Sequence, residues 1–194
     1  MPSWARVKDG LCVEFTTRNP AGRFHPSIRW VPVPDHLQAY ADGQYTVDDQ
    51  DTVAPPSLDY LRRQLRPKVA EKRWRIETQT PIPVTLESGA TINVTADDRT
   101  AAKVDQTLRL AEDYEATNGA GSWQVTWKTA DGTFTAITLA DLQTAWRRIG
   151  AHVAATFDRE ADINAKLDAA GTPEGIVQVI TDELNTGWPD GGGA

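Results

Sequence analysis

Residues 123–170 read WQVTWKTADGTFTAITLADLQTAWRRIGAHVAATFDREADINAKLDAA, and the predicted architecture follows most directly from this segment. Polar and apolar residues alternate on both sides of the Asp131-Gly132 pair, which is a strong signal for a β-hairpin. Thr138 then precedes Asp141 by three positions, a spacing close to the capping box that begins many helices. The segment therefore predicts a hairpin that leads directly into the longest helix of the chain.

The helix after this hairpin carries apolar residues at steps of three and four. Such spacing places them on one face, and an amphipathic helix packed on its own hairpin is the usual cause. Use of part of this stripe by a partner chain is the alternative, and homo-oligomerisation stays open with it. The predicted stripe consists of Leu139, Leu142, Trp146, Ile149, Val153 and Phe157.

A similar order of elements precedes this segment. Residues 84–94 predict another hairpin, and Thr95 with Asp98 predicts a capped helix that ends at Asn118-Gly119. Hairpin plus helix therefore occurs twice, which indicates a pseudo-repeat with the two hairpins side by side.

Residues 57–78 predict a helix that is unusually basic for an acidic protein. Ser57 is its predicted N-cap, and Pro67 predicts a kink or a break, since proline removes a hydrogen bond and clashes with the preceding turn. A phosphate backbone or an acidic partner is one interpretation, and ion pairs with the chain's own acidic residues are the other. The basic side chains are Arg62, Arg63, Arg66, Lys68, Lys72, Arg73 and Arg75.

The fold class that these patterns predict is α+β, with a repeated hairpin-plus-helix body. An N-terminal β-hairpin unit occupies residues 1–37, and an acidic linker that contains proline occupies residues 38–56. The body occupies residues 57–189, where the basic helix leads into two hairpin-helix units and a short C-terminal helix that begins with Thr-Pro. Residues 190–194 predict a flexible tail.

The N-terminal unit is predicted to contain three strands. Its first hairpin turns at Asp9-Gly10, and its apolar face is expected to consist of Val7, Leu11, Val13 and Phe15. A short strand over residues 28–31 is expected to be stopped by Pro32 and Pro34, because proline cannot donate to a ladder and is tolerated only at an edge.

Composition excludes several classes of function. The 194 residues carry a net charge of -7, which argues against a nucleic-acid partner, since such a protein needs a basic face. No apolar run approaches the roughly 18 residues that a membrane span needs, and the first residues lack the apolar core of a signal peptide. We therefore expect neither nucleic-acid nor membrane binding.

Reactive side chains form no recognisable catalytic or metal-binding pattern. His25, His36 and His152 lack the spacing of a metal site, and Cys12 stands without a specified base or a disulfide partner. We expect no metal, no cofactor and no enzymatic activity. A cell-wall or polysaccharide hydrolase that uses carboxylates of the predicted helices is the less favoured alternative.

The sequence contains seven tryptophans, spread along its length, which suits core or interface anchors better than one aromatic binding site. Trp30 and Trp123 are the predicted contacts with a partner protein, and ordinary core packing is the alternative for both.

Two segments resemble proteins of bacteriophage tails. Residues 21–34, AGRFHPSIRWVPVP, resemble the N-terminal segment of tail-fibre-assembly and related small tail proteins. Residues 127–170 resemble a C-terminal phage-tail domain of unknown function encoded beside tail fibre genes. The shared features there are a Trp-Lys hairpin with Asp-Gly-Thr, then Gly-Ala-His-Val and Phe-Asp-Arg-Glu on the helix, and the final Gly-Trp-Pro also fits.

The resemblance implies a structural protein of the phage tail that attaches to the tail fibre or baseplate through protein–protein contacts. It would be made in the host cytoplasm and stay in the virion tail. A tail fibre assembly chaperone that is absent from the mature virion is the alternative. The resemblance implies no enzymatic activity and assigns no binding residue.

Overall fold

The computed structural model describes residues 3–34, 45–128 and 132–190, and it confirms the α+β class. The elements in these ranges are β1 (Ser3–Lys8), β2 (Leu11–Thr16), β3 (Trp30–Val33), β4 (Thr46–Val47), β5 (Val53–Ala54), α1 (Leu58–Gln79), β6 (Ile82–Thr85), β7 (Thr91–Val94), α2 (Asp98–Asn118), β8 (Gln124–Lys128), β9 (Phe134–Thr138), α3 (Leu139–Ala169) and α4 (Pro173–Glu183). None of the helices in this part of the chain combines the length and apolarity needed to cross a membrane.

The chain divides into two compact units, and the division falls inside α1 and inside α3. The N-terminal unit comprises the described residues up to Pro67 together with Asn164–Glu183. The central unit comprises Lys68–Ile163 together with the described residues from Leu184 onward. The predicted body over residues 57–189 is therefore shared between the two units.

The N-terminal unit contains an antiparallel sheet in the order β3-β1-β2-β4-β5. Asp9 and Gly10 join β1 to β2 with positive φ angles of 53° and 75°, the conformation that two-residue hairpin turns require. The predicted first hairpin is therefore confirmed.

The buried face of this hairpin differs from the predicted one. Ala5 and Cys12 are buried, whereas Val13 is exposed. The pairing register shifts between Arg6 and Val7, so that Val13 has no partner on the opposite strand. Such a bulge changes which residues point toward the core, which is why simple alternation assigned the wrong face.

The predicted stop at Pro32 is wrong, because β3 continues through it, but the strand ends at Val33, directly before Pro34. β3 lies at the edge of the sheet and pairs with β1. A proline is tolerated in an edge strand, because no further strand needs a hydrogen bond from the amide that proline lacks.

The predicted acidic linker over residues 38–56 is wrong for its described part, because β4 and β5 belong to the sheet. Tyr45 is fully buried and packs edge-to-face on Phe15 with 5.4 Å between the ring centroids. Tyr45, Val47 and Val53 are buried. The free energy gained by burying these apolar side chains stabilises the strands although the segment is acidic. Residues 38–44 of the predicted linker and residues 191–194 of the predicted tail lie outside the described residues.

The basic segment forms α1, which begins after Ser57 as predicted, with the Tyr60 amide donating to the Ser57 hydroxyl. The helix continues through Pro67, so the predicted break does not occur. Its arginines favour the ion-pair interpretation. The pairs within the described residues include Arg62 with Asp59, Arg66 with Asp168, Arg73 with Glu77 and Glu160, and Arg75 with Glu71.

In the central unit, β6–β7 and β8–β9 form two separate two-stranded sheets. Both predicted hairpin-helix pairs are present, but the described strands of the two hairpins do not join into one sheet. The turn residues 129–131 lie outside the described residues. Asp97, rather than Thr95, caps α2, and Gly119 ends it with φ of 97°.

The predicted capping box at the start of α3 is confirmed. The Asp141 carboxylate accepts the Thr138 amide at 2.9 Å, and the Asp141 amide donates to the Thr138 hydroxyl at 3.2 Å. The same carboxylate accepts the Glu87 amide at 2.8 Å. Asp141 therefore connects the turn after β6 to the junction of β9 and α3.

The buried line along α3 is offset from the predicted stripe. Leu142 and Ile149 are buried as predicted, but Trp146 and Phe157 are exposed. The offset arises because small and polar residues occupy part of the buried face, and apolar periodicity does not mark them. The buried residues of α3 are Asp141, Leu142, Ala145, Ile149, His152, Thr156, Ile163 and Leu167.

Candidate protein-interaction surfaces

The loop between β2 and β3 is shaped by local hydrogen bonds. The Ala21 amide donates to the Asn19 side chain at 2.9 Å, and the Arg23 amide donates to the Pro20 carbonyl at 3.0 Å. Gly22 has φ of 75°, which glycine adopts without steric cost. These turns place the Phe24 ring beside Trp30, with 4.8 Å between the centroids.

Trp30 lies in an aromatic surface cavity of about 420 Å³, called here the Trp30 pocket. The side chain is half-buried, and its Nε1 atom donates no hydrogen bond to any described residue. A half-buried tryptophan in the wall of a surface cavity suits apolar contact with another chain. The lining residues are Trp4, Asn19, Pro20, Ala21, Gly22, Phe24, His25, Pro26, Ile28 and Trp30.

Trp123 does not have a surface of this kind. It is 8% exposed and belongs to the hydrophobic core of the central unit, beside residues of both hairpins. This burial favours the core-packing alternative for Trp123 over contact with a partner. Its position just before β8 explains this, because the core there needs a large apolar side chain.

A second aromatic surface lies in the central unit, where Trp74 is 52% exposed and Phe157 is 50% exposed. Both line a surface cavity of about 630 Å³, called here the Trp74 groove. The lining residues are Arg73, Trp74, Glu77, Thr78, Asp97, Asp98, Arg99 and Phe157.

Charges in the Trp74 groove are largely paired. The Arg73 guanidinium lies 4.2 Å from the centroid of the Phe157 ring and contacts Glu77 and Glu160. The hydroxyls of Thr95 and Thr100 lower the pKa of Asp97 to about 2, and the backbone amides at the start of α2 add to this. Asp97 is therefore a carboxylate at neutral pH.

Sequence reasoning missed the Trp74 groove. The predicted buried stripe of α3 includes Phe157, and the sequence analysis predicts no surface role for Trp74. A useful signal was present, since Trp74 stands between Arg73 and Arg75 in a basic run, which is typical of a solvent-facing position.

The structure assigns the remaining candidate side chains to local roles. Burial raises the pKa of the Cys12 thiol, which disfavours the nucleophilic thiolate. His25 contacts the Ser27 hydroxyl at 2.8 Å, and buried His152 donates from Nε2 to the Ile76 carbonyl at 3.2 Å. His36 lies outside the described residues, and the ranges that are described contain no cluster of three metal-ligating side chains.

Comparison with known proteins gives one match. Residues 60–183 match the model of a family described as a domain of unknown function (DUF4376). No curated protein and no solved structure matches the chain.

Proposed function

The chain belongs to the DUF4376 family, a domain of unknown function. From the resemblance of residues 21–34 and 127–170 to proteins of bacteriophage tails, we propose that it is a structural protein of a bacteriophage tail. In this role it attaches to the tail fibre or baseplate through protein–protein contacts. It is made in the host cytoplasm, stays in the virion tail and catalyses no reaction.

One observation carries the proposal. The segment that resembles small phage tail proteins, residues 21–34, supplies much of the wall of the Trp30 pocket. Phe24, His25, Pro26 and Trp30 from the resembling motif all line it. A segment that contacts a tail protein is expected to line an aromatic surface cavity such as the Trp30 pocket.

The chemistry of the Trp30 pocket suits an apolar side chain of a partner. Trp4, Phe24 and Trp30 contribute aromatic side chains to its wall, and the Phe24 and Trp30 rings pack on each other. Such half-buried aromatic residues are the usual anchors of protein interfaces, because their burial excludes water from a large apolar area.

Particles induced from the strain that carries the gene test the proposal. Wild-type chain should co-purify with particles, and mass spectrometry measures its amount. Trp30→Ala should reduce that amount strongly, since loss of an anchor tryptophan costs about 2 kcal/mol or more, roughly thirtyfold in affinity. Trp146→Ala is the matched control, because Trp146 is also partly exposed but lies in the central unit.

Two results would change the assignment. A chain that binds the fibre protein in the lysate but is missing from purified particles is an assembly chaperone. A Trp30→Ala chain that stays in particles at the wild-type level shows that the Trp30 pocket is not the attachment surface.

A further inference from the structure

The Trp74 groove contains two aromatic rings. An arginine packs on the Phe157 ring, whereas no cation among the described residues packs on the Trp74 ring. Arg73 lies over Phe157, and Glu77 and Glu160 neutralise its charge. Trp74 lines the same groove with half of its side chain open to solvent. The groove thus shows, with its own residues, how a guanidinium is held there between a ring and carboxylates.

Carboxylates outnumber guanidinium groups in the lining of the Trp74 groove. Asp97 and Asp98 line the groove at the start of α2, with Arg99 as the basic residue beside them. The Asp97 side chain accepts the Arg99 and Thr100 amides, so the positive end of α2 is already compensated. An anionic ligand would therefore meet carboxylates rather than free amides, whereas a cation is attracted.

We propose that the Trp74 groove binds an arginine or lysine side chain presented by an exposed segment of a partner protein. The cation lies on the Trp74 ring and pairs with Asp98, repeating the arrangement of Arg73 with Phe157 and Glu160. Cation–π contacts are strongest on tryptophan, and a carboxylate beside the ring adds an ion pair. The inference stands on the central unit alone and does not depend on the role of the Trp30 pocket.

The test is a titration of the full ¹⁵N-labelled chain with a blocked Gly-Arg-Gly-Arg-Gly peptide. Backbone amide resonances of Thr78 and Arg99 report binding, at about 0.15 M salt so that unspecific attraction to the acidic chain is screened. We expect a saturable shift of these resonances and no such shift with Gly-Glu-Gly-Glu-Gly.

Variants identify the ring and the carboxylate. Trp74→Ala should weaken peptide binding about fivefold or more, and Trp74→Phe less, because phenylalanine keeps a ring with a weaker π face. Asp98→Asn should weaken binding about threefold, in the range of a partly exposed charge pair. Trp146→Ala and Asp113→Asn are matched controls outside the groove, and both should bind like the wild type.

Three results would overturn the inference. The first is equal binding of the acidic peptide. The second is a similar effect of Asp113→Asn and Asp98→Asn, which would indicate unspecific attraction. The third is a shift of the same amides by a neutral oligosaccharide such as cellohexaose without any shift by the basic peptide, which would assign the groove to a saccharide. Each variant's amide spectrum shows whether it is folded.

Discussion

Replacement of Asp141 by alanine should destabilise the central unit by about 3 kcal/mol. Asp141 is 4% exposed, and its carboxylate accepts the amides of Glu87 and Thr138 at 2.8 and 2.9 Å and the Thr138 hydroxyl at 3.0 Å. Alanine removes both carboxylate oxygens. The Thr138 hydroxyl can rotate and donate to another acceptor, so its bond is not counted as a loss. The loss in the free energy of unfolding therefore comes from the two amide bonds to the carboxylate, at roughly 1.5 kcal/mol each.

Urea unfolding followed by tryptophan fluorescence measures this loss. With a slope of about 2 kcal/mol per molar urea, the midpoint should fall by about 1.5 M. Where the two units unfold in separate transitions, the shift belongs to the transition of the central unit.

Two further variants test the reasoning. Asp141→Asn keeps one acceptor oxygen and should lose about half as much. Asp113→Ala changes an exposed carboxylate on α2 and should change stability by less than about 0.5 kcal/mol. If Asp141→Ala and Asp113→Ala unfold at the same urea concentration, Asp141 does not stabilise the connection between the two hairpins.

Three other perturbations have definite outcomes. Trp123→Ala should cost about 3–5 kcal/mol in thermal unfolding, because this core side chain leaves a large cavity. The pKa of Asp97 is lowered to about 2 in the folded chain, so its stabilisation is present above the ordinary carboxyl pKa near 4 and is lost as pH falls through about 2. Asp97→Ala should remove this part of the acid-unfolding profile and cost about 1 kcal/mol at neutral pH. Arg62→Lys should cost about 2 kcal/mol in urea unfolding, since a lysine cannot reproduce the guanidinium bonds to the Leu167, Asp168 and Ala170 carbonyls.

The two tryptophans that the sequence singles out lie in different environments in the structure. Trp30 was singled out because aromatic residues anchor interfaces, and its place in the Trp30 pocket fits that prediction without testing it. Trp123 was singled out for the same reason and lies in the core. Composition does not separate these two cases, because the same apolar ring serves either role, and only its neighbours in space decide which one.

The hairpins and helix ends follow from residues close together in the chain. Asp9-Gly10 specifies its turn through positive φ angles, and Thr138 with Asp141 closes its capping box within a single helical turn. Such interactions join positions at most a few residues apart, so the order of residues is sufficient to predict them.

The buried faces depend on segments far apart in sequence. The strand through Pro32 and the offset line of Ala145, His152 and Thr156 on α3 both arise where elements distant in sequence meet. Local pattern cannot supply this information, because a side chain is buried only when another part of the chain covers it. For the same reason the exposure of Trp74 and Phe157, and with it the Trp74 groove, was decided by tertiary packing.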